Sequence, residues 1–475
     1  MTSNRARFGL GKSSMPDLIV RLRDWLRGKS KVLIPLVSFL IVCCIEGCAF
    51  IATVGPLTMP DPHLHLGSTY ALATLQSFNS TTMVDSPDGA KRAQNLVGDS
   101  RYIDQPTVSN QTVEGIDITA LKRDPQYDAQ VEALNSDDHS IVHVATRSNQ
   151  YLFVSYLPQA IGMKFGLHFG LRPSAVLKLA RLTNLLAFML AIGIAIVMIP
   201  SGKWFFAVFG CLPYPVFCAS SLMADGPVIG YTACFIALSL WLFARRKPLT
   251  TVWWVLLIVA AFLQCLMKSV YAPVILLVLA TKALSMRRKI IYVLCAFIPA
   301  TLVNLWWEKT HMLVILPDLY AANKQYVMHH LAGTIFRLVS DTLVQTFDLV
   351  SKDPTTVASL LLLCAVILFS GRLNSERTGR LYGRNRLYAL YALSGLAAFG
   401  SLALVWLSLQ VTWNDLSDTQ QGLELAGFQM RYLYPVVPLL ACLFFHDGQF
   451  NSAQSEPSMN STQDSAVRPH LEVTG

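Results

Sequence analysis

The sequence predicts an all-α polytopic membrane protein of ten to eleven transmembrane helices with a large extracytoplasmic first loop. Three observations predict it. Of 475 residues, 53% are hydrophobic and 14% charged, whereas ordinary soluble domains carry roughly a quarter charged residues. The apolar residues come in blocks rather than as one interleaved core pattern. The basic residues gather between alternate blocks, as retention of Lys and Arg on the cytoplasmic side demands.

Spanning ~30 Å of hydrocarbon takes roughly 20 apolar helical residues. Blocks of that character lie near 32–55, 179–200, 204–222, 226–244, 251–267, 270–284, 289–307, 354–371, 386–411 and 432–446. The stretch 151–170 is a candidate eleventh, partial or re-entrant segment. Residues 1–31 form a basic N-terminus, and the run behind them is too long for a typical signal-peptide core, so an uncleaved anchor is expected. The loop 56–150 is polar and acidic, and long enough for a small subdomain resting on the membrane. At its start Leu66, Tyr70, Leu72, Leu75 and Phe78 recur at helical spacing, which predicts a short interfacial helix. A second outer loop, 308–352, has apolar residues at helical intervals among His and Asp. The segment 447–475, rich in Ser, Asn and Gln, is expected to be disordered.

Alternating the spans puts Arg5 to Lys31, Lys203, Arg245-Arg246-Lys247, Arg287-Arg288-Lys289 and the Arg372–Arg386 group on one side, hence both termini in the cytoplasm of a cell-membrane protein. The net charge of +9 mostly reflects these clusters and calls for no nucleic-acid partner. All ten cysteines fall in predicted spans and read as small core residues.

The same count gathers four chemically active groups on the opposite, outer face. Asp61 and His65 follow the first span in Met59-Pro60-Asp61-Pro62-His63-Leu64-His65, where the prolines block helical continuation. Asp61 can take a proton from an attacking hydroxyl, or hold a divalent cation that does similar work; capping the next helix is the alternative. Asp225 carries the same choice. Lys268, ending the fifth span, offers a point charge for a phosphate or a complement to the helix dipole, and Arg431 offers a fork suited to phosphate oxygens. Each is ambiguous singly, but independent structural charges need not share a face. Glu46 lies mid-span, where a carboxylate costs roughly 2.5–3.5 kcal/mol on insertion scales, so it should face the interior; Arg181, Asn184 and Asn304 are candidate partners. No Cys/His spacing of the metal-site kind is present.

Pro60, Asp61 and His65, then Tyr156-Leu157-Pro158-Gln159 with Arg181 and Asn184, then Asp225, Lys268 with Tyr271 and Pro273, and Gln429, Arg431, Tyr432 and Pro435 stand in order over roughly 32–446. In these elements the chain resembles the bacterial domain of unknown function 2142 family, related to the GT-C polytopic glycosyltransferases. Two departures stand out: Pro62 occupies the place of a second acid, and Met223-Ala224 the place of Ser-Pro. The resemblance implies transfer of a sugar from a polyprenyl-phosphate donor, reached from the membrane lipid, to a cell-envelope glycan or lipid acceptor outside the cytoplasm. Asp61, His65 and Asp225 would then be catalytic, while Lys268, Tyr271, Gln429, Arg431 and Tyr432 would bind substrate. Two other classes stay open: a transporter or flippase of lipid-linked glycan, and a non-catalytic envelope-assembly partner.

Overall fold

The computed structural model describes residues 15–79, 82–85, 91–94, 96–103, 123–144, 151–311, 317–374, 382–416 and 428–445. It is an all-helical bundle. The only sheet among the described residues is two antiparallel ribbons in the first loop, Thr82–Asp85 with Lys91–Gln94 and Leu96–Asp99 with Ile141–Val144. Among the described residues five helices are long and apolar enough to cross a membrane: Ser30–Thr53, Pro173–Met198, Asp225–Ala244, Met286–His311 and Arg384–Trp413. Their outward faces carry Ile34, Ile41, Ile45, Leu186, Leu190, Leu302 and Leu396, exposed as lipid contact requires. The chain is therefore a multi-pass membrane protein.

The remaining apolar blocks differ from the ten continuous spans expected. The block 204–222 is two short helices, Lys203–Gly210 and Pro213–Ala219, broken before Pro213 and Pro215. The block 270–284 is a 3-10 helix, Ser269–Ala280, with Pro273 inside it, and 432–446 contributes the 3-10 helix Val437–Phe444. A 3-10 helix rises ~2.0 Å per residue against 1.5 Å for an α-helix, so the short apolar stretches reach further than an α-helix of equal length. Leu331–Lys352 and Pro354–Phe369 meet at a 100° bend at Asp353, where the following proline ends the amphipathic helix and starts the next apolar one. The stretch 151–170 is a short 3-10 turn and the helix Leu157–His168, too short to span.

Packing is tightest where side chains are smallest. A Cβ on Gly162 would sit 2.7 Å from the Leu179 carbonyl, so Leu157–His168 lies directly on the backbone of Pro173–Met198. Pro173–Met198 packs in turn on Asp225–Ala244, and the 3-10 helix Ser269–Ala280 on Arg384–Trp413. The helix expected at the start of the first loop is present as Pro62–Ala73, with its apolar residues packed against protein. Leu66, Tyr70 and Leu72 are all buried, and only Leu75 and Phe78 beyond its end are exposed. The loop packs on it through the stacked rings of Tyr70 and Tyr102, and ties down the segment before it: Asp124 accepts from the Gly55 amide at 3.1 Å, and Gln130 from the Leu57 amide at 2.9 Å.

Contacts sort the bundle into two ends. At one, Thr281 Oγ1 donates to the Leu242 carbonyl, Arg288 to the Leu249 carbonyl and Arg386 to the Phe243 carbonyl. That end carries the described basic clusters. The other carries Asp61, Asp225, Lys268 and Arg431, and the 20-residue Asp225–Ala244 helix joins them across ~30 Å. The expected tail disorder at 447–475 lies outside the described residues.

Candidate functional site

Asp61 occupies the N-cap position of Pro62–Ala73 with φ 52° and ψ 50°, the left-handed region that a non-glycine residue rarely adopts. Its carboxylate makes no capping hydrogen bond. It accepts instead from Arg431 Nη2 at 2.7 Å, across 370 positions of sequence. Pro60 and Pro62 hold the turn from both sides, so the strain is fixed by the chain itself. A residue held off its preferred backbone and aimed at a distant charge points to a role beyond capping.

Asp225 is the first residue of its helix, and Ala224 is the N-cap. Its carboxylate lies 3.1 Å from Lys268 Nζ and 3.4 Å from Arg431 Nε, with 2% of its side chain exposed. Gly226 makes this placement feasible: a Cβ there would come within 2.7 Å of the Ala219 Cα, so any other residue would push the helix start away. Lys268 is the extended hinge residue between Thr251–Met267 and the 3-10 helix that follows. Its ammonium sits 4.5 Å from the centre of the Tyr432 ring and 5.1 Å from that of Tyr151, arrangements favoured by the ring quadrupole. Arg431 lies in the 3-10 turn Met430–Tyr432, 2% exposed, with Nη1 directed at the Met223 sulfur at 3.5 Å. The four charged groups thus form one chain, Asp61–Arg431–Asp225–Lys268, of two acids and two bases.

Other expected residues sit differently. Tyr271, expected to bind substrate, is fully buried and donates to the Tyr432 carbonyl at 2.9 Å, bracing the turn that carries Arg431. His65, expected to be catalytic, is 1% exposed, with Nδ1 2.9 Å from the Tyr156 hydroxyl. Gln429 is half-buried with an unpartnered Oε1 among the described residues, and Tyr432 faces Lys268. Arg181 is no partner for Glu46. Its guanidinium caps the end of the first span through the Phe50 and Val54 carbonyls and also donates to Ser220, fixing the floor beneath Asp225. Asn184 donates to the Ser221 carbonyl and Asn304 to that of Cys265. Tyr151 and Met223 carry no sequence signal, since an aromatic and a thioether in apolar runs look like core.

For Asp61, burial alone would raise the carboxyl, but the Arg431 guanidinium beside it prevails and holds it below its ordinary value, ionised at neutral pH. For His65, burial first and then the Arg431 charge push the imidazole down to about 3, so it stays neutral. The unfolded imidazole binds its proton near 6.5 and the folded one near 3. Between those values the unfolded chain holds more protons, so stability contributed here is complete above pH 6.5 and drains away as pH falls toward 3. The melting temperature of detergent-solubilised wild type should therefore fall more steeply over that window than that of His65→Gln. Parallel curves would show that the imidazole is not held neutral.

The donor set does not suit a divalent cation at Asp61. Arg431 stands between the two carboxylates, already matched by two cationic groups, and among the described residues no three His, Cys, Asp or Glu converge.

Lys268 and Tyr432 line a chamber of about 180 Å³ together with Tyr151, Asn304, Trp307 and Glu308. Beside it an apolar groove of about 770 Å³ runs between Ser269–Ala280, Met286–His311 and Arg384–Trp413, lined by Pro273, Phe297, Ala300, Leu404 and Leu407. Chamber and groove share Ser269, Val270, Asn304, Glu308, Ser408 and Thr412, so they are continuous. Residues 44–440 match the model of a family described as a predicted membrane protein, DUF2142. No curated protein matches, and no solved structure does.

Proposed function

The chain belongs to the DUF2142 family of membrane proteins, and from that premise we propose that it is a glycosyltransferase. It moves a sugar from a polyprenyl-phosphate donor to a cell-envelope glycan or lipid on the extracytoplasmic face. The observation that carries this reading is the joining of a polar chamber, which Lys268 lines, to an apolar groove. A polyprenyl-phosphate sugar has that same division, an anionic phosphodiester and a polar sugar on an apolar chain.

In the proposed reaction the acceptor oxygen bonds to the sugar's anomeric carbon while the bond from that carbon to the phosphate oxygen breaks. The leaving electron pair stays on the phosphate, where Lys268 and the Arg431 fork offset its charge. Asp61, half-exposed and ionised, orients the acceptor hydroxyl and takes its proton. A carboxylate held at low pKa is a weak base, which suits a step in which the leaving group departs early and the hydroxyl becomes acidic as its bond forms. Asp225 holds both cations at the correct spacing. The inner placement of both basic clusters and chain ends follows the retention of Lys and Arg in the cytoplasm.

The direct experiment incubates purified protein with radiolabelled polyprenyl-phosphate sugars and membrane extract. Transfer of label to an acceptor supports the reading; movement of labelled lipid-linked glycan across vesicles without transfer would replace it with a flippase. A narrower test concerns the groove. Ser408→Trp, at its junction with the chamber, should raise KM for a long-chain donor by about 10-fold, the loss of roughly 1.4 kcal/mol of binding. A water-soluble, short-chain donor should be used as before. Equal loss for both donors would separate the groove from the lipid.

A further inference from the structure

The bundle has a second charged cavity, at the end opposite Asp61. A space of about 880 Å³ opens between Val197–Lys203, Trp241–Lys247, Tyr382 and Phe444–Phe445. Its walls are of two kinds. Val197, Met198, Ile199, Phe444 and Phe445 are apolar, and Lys203, Arg245, Arg246 and Lys247 bring positive charge; no Asp or Glu stands among the described lining residues. The cations are partly fixed. Lys203 Nζ donates to the Ile196 carbonyl at 2.8 Å and the Ile199 carbonyl at 2.7 Å, capping the Pro173–Met198 helix. The Arg245 guanidinium lies 5.1 Å from the Trp241 ring centre, and its Nε donates to the Lys247 carbonyl at 3.2 Å. Arg386 adds a further charge from behind, 4.2 Å from the Phe243 ring centre. Arg246 and Lys247 are exposed and have no carboxylate partner among the described residues. Like charges crowded around one cavity repel, and a bound anion turns that cost into attraction.

An apolar wall beside a cationic rim, one helix length from the outer site, fits an anionic amphiphile at the other membrane interface. We propose that this cavity binds a phosphate ester, supplied as the headgroup of an anionic phospholipid whose chains lie against Val197, Ile199 and Phe444. The arginine fork matches the phosphate oxygens. Such a site would anchor the bundle by its inner end, and it is independent of the outer chemistry.

The test uses the full-length protein in neutral detergent. Phosphatidylglycerol, phosphatidylcholine and soluble glycerol phosphate are added in parallel, and retention is read by native mass spectrometry alongside the melting temperature. Wild type should retain phosphatidylglycerol over phosphatidylcholine. The triple variant Arg245→Gln, Arg246→Gln, Lys247→Gln should weaken that retention on the order of 100-fold, at about a factor of five per basic residue. Arg245→Lys alone should keep most of it. Glycerol phosphate competing as well as the lipid would assign the same oxyanion chemistry to a soluble ester. Equal retention of both phospholipids, or an undiminished triple variant, would overturn the site. Should the triple variant not fold, the salt dependence of wild-type retention decides: charge recognition weakens as ionic strength rises, and retention insensitive to salt would refute it.

Discussion

Asp61→Asn should lower the rate of sugar transfer by about 10²–10⁴-fold, the range spanned by removal of a positioned proton acceptor. The substitution keeps the shape of the side chain and tolerates the left-handed backbone, because Asn, like Asp, is enriched there. Arg431 retains Asp225 as a partner, so no buried charge is stranded. Asp61→Gly makes a sharper companion. It relieves backbone strain of order 1 kcal/mol while forfeiting an ion pair whose acid is half-exposed, worth up to about 1 kcal/mol. Its melting temperature should therefore stay near that of wild type while activity disappears. Transfer that survives either change would take Asp61 out of the mechanism; a large fall in stability would mark Asp61 as structural.

Arg431→Met should be the most damaging change to the fold, costing about 3–5 kcal/mol, the usual result of taking one partner out of a buried ion pair. Asp225 would be left 2% exposed with Lys268 alone, and Asp61 would lose its partner. Met has a similar length and can fill the space against Met223, so the loss would reflect charge rather than a cavity. Adding Asp225→Asn to Arg431→Met should recover part of the loss, because the two residues form one network and their effects cannot add. Arg431→Lys should restore stability better than transfer, since an ammonium replaces the charge but not the fork. Unfolding in denaturant, followed with tryptophan fluorescence, reads all three. A wild-type-like Arg431→Met would mean that the ion-pair chain contributes nothing to holding that end of the bundle together.

Much of the candidate site could be read in the sequence, and the reason is the solvent. Hydrocarbon rejects charge strongly enough that each charged residue near a span end stands out against its surroundings. Counting spans then sorts Asp61, Asp225, Lys268 and Arg431 onto one face without any three-dimensional information. Glu46 stood out by the same rule, yet its proposed partners proved to bond main-chain carbonyls. Composition flags a polar residue in a span but does not say which neighbour it meets. Tyr271 illustrates the converse. Beside Lys268 in sequence it resembles a substrate contact, and only the folded chain shows its hydroxyl spent on the Tyr432 carbonyl.

By itself the sequence determined the class of protein, the number and order of its apolar blocks, and which charged groups share one end of the bundle. These follow from the local cost of placing each residue in lipid, which needs no knowledge of distant neighbours. Tertiary structure decided the rest: that Arg431 bridges Asp61 and Asp225, that several blocks are broken or 3-10 segments, and that an apolar groove opens onto Lys268. Ion pairing falls off within a few ångströms, and a cavity is what packing leaves over. Both depend on how segments hundreds of residues apart come to touch, and no periodicity along the chain encodes that.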